Sequence, residues 1–293
     1  MRSTVATRVP APLLFVVGAL SMYVGAALAV GLFERLLPSA VAVLRLLGAA
    51  LVLLAWRRPA RAAWRGPRFW RATAFGLATA LMNIAFYEAI ARLPLGTAVA
   101  IEFCGPVVVA AVATRRPRDV AALLSAAVGV LLIADVRWSG SPSGVLWALG
   151  AATMWAAYIV LGKRVAAAGN GVDDMTVGFA AATVVLSPLL LLGGTGALSA
   201  LADPVVLLLA VGVGVLSSVI PYVLDQVVLR RLGQARFAVL LALLPATATV
   251  VGLFGLAQIP TLAEALGIAA VVAAVALRSR DGDTPEAVGR TGA

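Results

Sequence analysis

Histidine is absent from the 293-residue chain and cysteine occurs once, at Cys104. With neither an imidazole nor a second thiol, the chain offers no His/Cys metal site and no internal disulfide. Serine–histidine and cysteine–histidine nucleophilic catalysis fall away with them, so no catalytic residues and no cofactor are expected. Charge is scarce as well: 12% of residues are charged, against roughly 25% in water-soluble domains. Lysine occurs once, at Lys163, among 23 basic residues. What fills the chain is apolar, 62% of residues with a mean hydropathy of +1.03. That balance describes an integral membrane protein.

A formal net charge of +10 raises the question of nucleic acid. The basic residues, however, stand in short clusters between long apolar runs, where cytoplasmic helix ends carry them. A lipid bilayer is the expected partner and nucleic acid is not. Val9 to Phe33 carries no charge and lacks a short cleavable core, so it reads as a retained first helix rather than a signal peptide.

A spanning helix needs about 20 mostly apolar residues. Reading between charge clusters gives ten spans: 11–32, 38–56, 72–91, 95–113, 119–136, 145–162, 175–193, 204–227, 236–256 and 261–277. The Gly/Ser/Pro-rich "WSGSPSG" at 138–144 divides them into a first five-helix unit over 11–136 and a second over 145–277. Residues 278–293 read as a disordered cytoplasmic tail. With both termini in the cytoplasm, alternate loops place nineteen basic residues inside and three outside (Arg35, Arg92 and Arg137). Such a bias requires an even number of spans.

The stretch "ARLPLGTAVAIEFCGP" has a counterpart in "RRLGQARFAVLLALLP", with Arg92-Leu93 and Pro106 matching Arg231-Leu232 and Pro245 at one offset. An odd number of spans per repeat forces opposite orientations on the two halves. The expected fold is thus all-α, with ten transmembrane helices in two inverted five-helix repeats. Carriers of that design hold their substrate near the midplane between the halves.

Two charges lie well inside spans, Arg45 and Glu102. Each is about seven residues past the outer end of its helix, roughly 10 Å deep at ~1.5 Å per residue. A charge at the bilayer centre costs roughly 2.5–3.5 kcal/mol on insertion scales, so each needs a partner or a task. Equal depth allows an Arg45–Glu102 ion pair that fixes helix packing. It equally allows the two charges to meet a zwitterionic substrate or a proton. Glu88, Asp225, Glu34 and Glu264 read as interfacial or helix-end charges.

Pro106, Pro221 and Pro245 break helices inside spans and free backbone polar groups, either as packing kinks or beside a cavity. Around them stand Asn83 and Tyr87, Trp155 and Tyr158, and Ser217, Ser218 and Tyr222. Trp155 and Tyr158, three residues apart, share one helix face, facing either lipid headgroups or the interior.

The segment "MNIAFYEAIARLPLGTAVAIEFCGPVVVAAVATRRPRD" at 82–119 resembles the threonine/homoserine exporters in the EamA branch of the drug/metabolite transporter superfamily. The segments "AVLRLLGAALVLLAW", "MWAAYIVLGKR" and "LSSVIPYVLDQVVLRRL" are similar too, and the resemblance runs from about residue 11 to 277. It implies a multi-pass protein of the bacterial plasma membrane that exports small neutral amino acids, coupled to protons, by alternating access. It places Asn83, Tyr87, Glu102, Trp155, Tyr158 and Tyr222 around a central substrate cavity. The family's glutamates at two positions of the ninth span are replaced here by Leu244 and Gln258, which leaves Glu102 as the coupling candidate. Another cargo on the same fold, such as aromatic amino acids or a drug, is the alternative, followed by a non-transporting receptor or scaffold.

Overall fold

The computed structural model describes residues 9–114, 117–138, 141–166, 171–192, 199–241 and 243–279. Its elements are α1 (Ala11–Leu32), α2 (Pro38–Arg57), α3 (Gly66–Ile90), α4 (Leu95–Glu102), α5 (Cys104–Thr114) and α6 (Pro117–Trp138). They continue with α7 (Pro142–Ala166), α8 (Gly171–Leu186), α9 (Pro204–Gly214), α10 (Ile220–Leu241), α11 (Leu243–Leu256) and α12 (Leu262–Ser279). Short 3₁₀ turns occupy Arg61–Trp64 and Ser187–Leu191, and a π turn, Val215–Val219, joins α9 to α10. Among the described residues there is no strand.

The sequence writes these boundaries in proline. Pro38, Pro67 and Pro204 occupy first turns, where the missing N–H would go unpaired anyway. Pro106 has no N–H to give to the Glu102 carbonyl four residues earlier, and α4 ends at Glu102. Pro245 does the same to Leu241, where α10 ends.

Six of the described helical segments are long and apolar enough to cross a membrane, and Leu95–Val109, Leu243–Leu256 and Leu262–Ala274 are shorter apolar helices. Large apolar side chains such as Val112, Val184, Leu208 and Phe254 point outward. In water such a surface would drive aggregation; against lipid tails it needs no cover.

Helices from the two ends of the chain interleave. α3 packs on α7 and α8, α2 on α8 and α9, α4 on α11, α6 on α12, and α1 on both α10 and α11. Gly18 faces Pro221 and Leu224, Gly25 faces Ser217, and Arg231 donates to the Val9 carbonyl, so α1 runs antiparallel to that stretch. Phe15 meets Phe237 and Ala27 meets Gly255, so α1 runs parallel to the next one. The chain therefore reverses between Arg231 and Phe237, within α10 itself, so the continuous helical stretch Ile220–Leu241 holds the end of one span and the start of the next.

Glycines set the closest crossings. A Cβ on Gly76 would lie 2.1 Å from the Gly178 carbonyl oxygen, and one on Gly214 would lie 2.6 Å from that of Arg45, beside Gly48. Only glycine admits backbones that near.

Several expectations fall outside the described residues: Arg2, Arg8, Arg115, Arg116, part of the 138–144 linker, and nearly all of the tail. The side chains of Arg118, Arg137, Lys163, Arg164, Arg230, Arg236 and Arg278 are outside them too.

Candidate functional site

Arg45 and Glu102 are both buried, each 8% exposed, and lie within electrostatic reach of one another. They are not in contact, and among the described residues no ion pair joins them, which corrects the expected salt bridge. The reason lies in Pro221. It cannot donate to the Ser217 carbonyl four residues before it, and the wide π turn spreads that backbone open. Arg45 supplies the missing donor, Nη2 to Ser217 O at 2.8 Å, and its Nε donates to Ser218 Oγ at 3.1 Å. The guanidinium carbon stands 5.5 Å from the centroid of the Tyr87 ring, in cation–π range.

Glu102 is left without a hydrogen-bond or ion-pair partner among the described residues. It sits at the last turn of α4, against the break before α5, where Phe103 turns edge-on to Trp155 at 4.7 Å. Tyr23 of α1 is buried within electrostatic reach of both Glu102 and Asp225. The sequence reading passed over Tyr23. A phenol midway along an uncharged 22-residue helix was the available signal.

Of the other predicted residues, Asn83 donates to the Thr79 carbonyl of its own helix at 2.8 Å. Tyr87 is fully buried, its hydroxyl has no partner among the described residues, and Phe33 packs edge-on against its ring at 5.8 Å. Trp155 and Tyr158 both face inward rather than toward lipid; Tyr158 lies 4.9 Å from Phe75. Tyr222 is half-buried and packs with Tyr158 against the same core cluster. The structure thus gathers Tyr23, Arg45, Tyr87, Glu102, Trp155, Tyr158, Tyr222 and Asp225 along an axis between α1, α2, α3, α4, α7 and α10. Asn83 shares this face through Tyr87, one turn away. Pro221 and Pro245 are buried and Pro106 is half-buried.

One end of this axis is clamped. Gln258 Oε1 accepts the Leu95 N–H at 2.8 Å, capping α4 from the α11–α12 loop. Glu264 accepts from Thr97 Oγ1 at 3.0 Å and from the Thr261 N–H at 2.9 Å, and its own N–H donates to Thr261 Oγ1. That is a capping box fastened to a neighbouring helix. Glu264 is thus a helix-end charge as read, but one completely buried by protein. Pro94, Gly96, Thr97, Thr249, Gly252 and Gln258 line a small, partly open crevice of about 10 Å³ here. Nearby, Glu88 pairs with Arg92 at 2.6 Å and accepts the Ser39 N–H at the start of α2. α5, the other half of the α4–α5 span, packs on α6 and α7 instead of on α11. At the opposite end, Arg57–Asp173 and Arg68–Asp174 tie α2 and α3 to α8.

A bundle of lipid-length helices around a buried polar axis is that of a multi-pass membrane protein. Residues 142–280 match the EamA-like transporter family. Over 257 residues the chain is 35% identical to the threonine/homoserine exporter RhtA of Salmonella typhimurium (strain LT2), covering 87% of this chain and 86% of that one. It is 34% identical to the same exporter of Escherichia coli (strain K12) over 253 residues, 85% and 84% of the two chains. The chain belongs to the EamA-like transporter family. A solved crystal structure, described only as that of a protein, shares the fold at TM-score 0.58 and 20% identity, covering 92% of this chain and 96% of that one.

Proposed function

We propose that the chain exports small neutral amino acids of the threonine/homoserine type across the bacterial plasma membrane, with both termini in the cytoplasm. The observation that carries the reading is the pair of buried, opposite charges that do not neutralise each other. A zwitterion carries an ammonium for Glu102 and a carboxylate for Arg45, and a site of low dielectric rewards both contacts. The family's exporters named for threonine and homoserine support the choice of cargo.

Alternating access between two inverted halves is the proposed mechanism. In its support, close packings come in exchangeable pairs. Gly76 sits on Gly178 as Gly214 sits beside Gly48, and Gly18 faces Leu224 as Gly150 faces Ala85. Each contact joins the counterparts of the two spans its mate joins, once first-half and second-half spans are exchanged. In this conformation the Pro94 end, outer in the proposed topology, is held shut by Gln258 and Glu264. Asn83, Trp155, Tyr158 and Tyr222 line the path between Glu102 and the inner side, and Tyr87, packed on Phe33 at the outer end of α1, stands on the outer side of Glu102. Proton coupling would run through Glu102, with Arg45, Tyr23 and Asp225 as the charged or titratable groups around it.

The aromatic wall of Phe75, Phe103, Trp155, Tyr158 and Tyr222 favours a second reading, the same carrier with an aromatic amino acid as cargo. Proteoliposomes loaded with labelled threonine, homoserine, phenylalanine or a cationic dye, with and without a pH gradient, test both. Threonine and homoserine efflux that grows when protons can enter in exchange is the expected result. No flux of any amino acid overturns the exporter reading, phenylalanine flux alone selects the second, and flux indifferent to the gradient removes proton coupling.

A further inference from the structure

Resting on the exporter reading, we propose that Arg45 makes a free carboxylate the required recognition element of the cargo, because the same guanidinium that would bind it also holds the Pro221 hinge closed. The argument starts from the orphaned carbonyl. Ser217 O has lost its α-helical donor to Pro221, and Arg45 Nη2 occupies it at 2.8 Å while Nε holds Ser218 Oγ. The π turn is sewn to α1 on its other side. Ser217 Oγ donates to the Met22 carbonyl at 3.1 Å, and Ser21 Oγ donates to the Leu216 carbonyl at 2.8 Å. Gly25 permits that approach, since a Cβ there would lie 2.2 Å from Ser217 Oγ. Three helices thus meet on five residues of widened backbone, and one cationic side chain from α2 completes the set.

A carboxylate offers that fork a bidentate, charge-assisted contact, roughly twice as strong as one to a neutral carbonyl. When a cargo carboxylate draws Arg45 away, Ser217 O is left buried without a donor. That is an unfavourable state, relieved when the π turn changes register or opens. Tyr222 and Asp225 lie just beyond the hinge on α10, so the change moves the cytoplasmic half of the path. Tyr87, stacked under the guanidinium, gives it a surface to slide on without leaving the site. An amino alcohol or amine of the same shape reaches Glu102 but leaves Arg45 on the hinge. It binds without triggering the change.

The test is hydrogen–deuterium exchange of the peptide covering 213–224, on the full chain in lipid nanodiscs, beside transport in proteoliposomes. Threonine is expected to raise exchange there about tenfold, the scale of one charged hydrogen bond in an opening equilibrium, while threoninol, which lacks the carboxylate, leaves it unchanged. Arg45→Gln is expected to give the fast exchange without any ligand. Adding Pro221→Ala restores an N–H for Ser217 O and returns protection to near the wild-type level, a rescue that generic damage would not show. Threonine that is transported without changing exchange, or threoninol that changes it equally, overturns the proposal and leaves the exporter reading standing. Absence of any amino-acid flux overturns that reading and the carboxylate trigger with it. Unchanged exchange in a folded Arg45→Gln protein overturns the clamp itself.

Discussion

Replacing Glu102 by glutamine separates a structural carboxylate from a working one. In the structure this side chain is 8% exposed and takes no hydrogen bond from any described residue, so the substitution breaks no contact. It removes a charge from bilayer depth, where a carboxylate is unfavourable by about 2.5–3.5 kcal/mol on insertion scales. What it gives up is the distant attraction to Arg45. The variant is therefore expected to melt at or above the wild-type temperature. Cargo binding moves the other way. A charged hydrogen bond to the cargo ammonium is worth about 1.5–3 kcal/mol, so the half-saturating threonine concentration rises about tenfold to a hundredfold. The assays are threonine counterflow in proteoliposomes and thermal unfolding in detergent, on the same preparation. A melting point several degrees lower would refute the reasoning and make Glu102 a packing group. So would wild-type transport by a well-folded variant.

Other consequences follow from particular contacts. Gly76→Ala drives a methyl into the Gly178 backbone, which cannot step aside like a side chain; destabilisation of at least about 1–3 kcal/mol is expected, read as a lower melting temperature. Gln258→Leu strips the Leu95 N–H of its acceptor and should destabilise by about 1–2 kcal/mol, whereas Gln258→Glu keeps an acceptor at a helix N-terminus and is tolerated. Thermal melts of the two variants side by side check this. Asp174, almost wholly buried against Arg68, should matter more than half-exposed Asp173 against Arg57. Asp174→Ala is expected to lower stability by more than about 1 kcal/mol and Asp173→Ala by less, compared in the same melt.

The helical layout was legible in the chain because bilayer thickness, charge clusters and proline each act locally. The expected span 95–113 appears as α4 and α5, interrupted where Pro106 withdraws its N–H from Glu102. The span at 38–56 appears as α2 with Pro38 in its first turn. Asn83, Tyr87, Glu102, Trp155, Tyr158 and Tyr222 could be picked out as candidates for a related reason, since polar and aromatic groups in an apolar run stand out. Tyr23 did not stand out, because a phenol is common at membrane interfaces and its depth alone gave no partner. Glu264 could be read as an end charge from its position near a helix start, and only Thr97 from α4 shows that the spot is covered.

The sequence by itself determined that this is a helical membrane protein, where its helices begin and break, and that Arg45 and Glu102 lie inside its spans. Those follow from energies each segment meets alone in the bilayer. Only the tertiary structure decided whom the charges serve. Arg45 and Glu102 match in depth and sign, and a one-dimensional reading pairs them. Yet a proline 176 residues away from Arg45 in sequence leaves a carbonyl unsatisfied, and that carbonyl takes the guanidinium first. Partner choice between helices depends on which groups are brought within about 3 Å, a property of packing that no single segment carries.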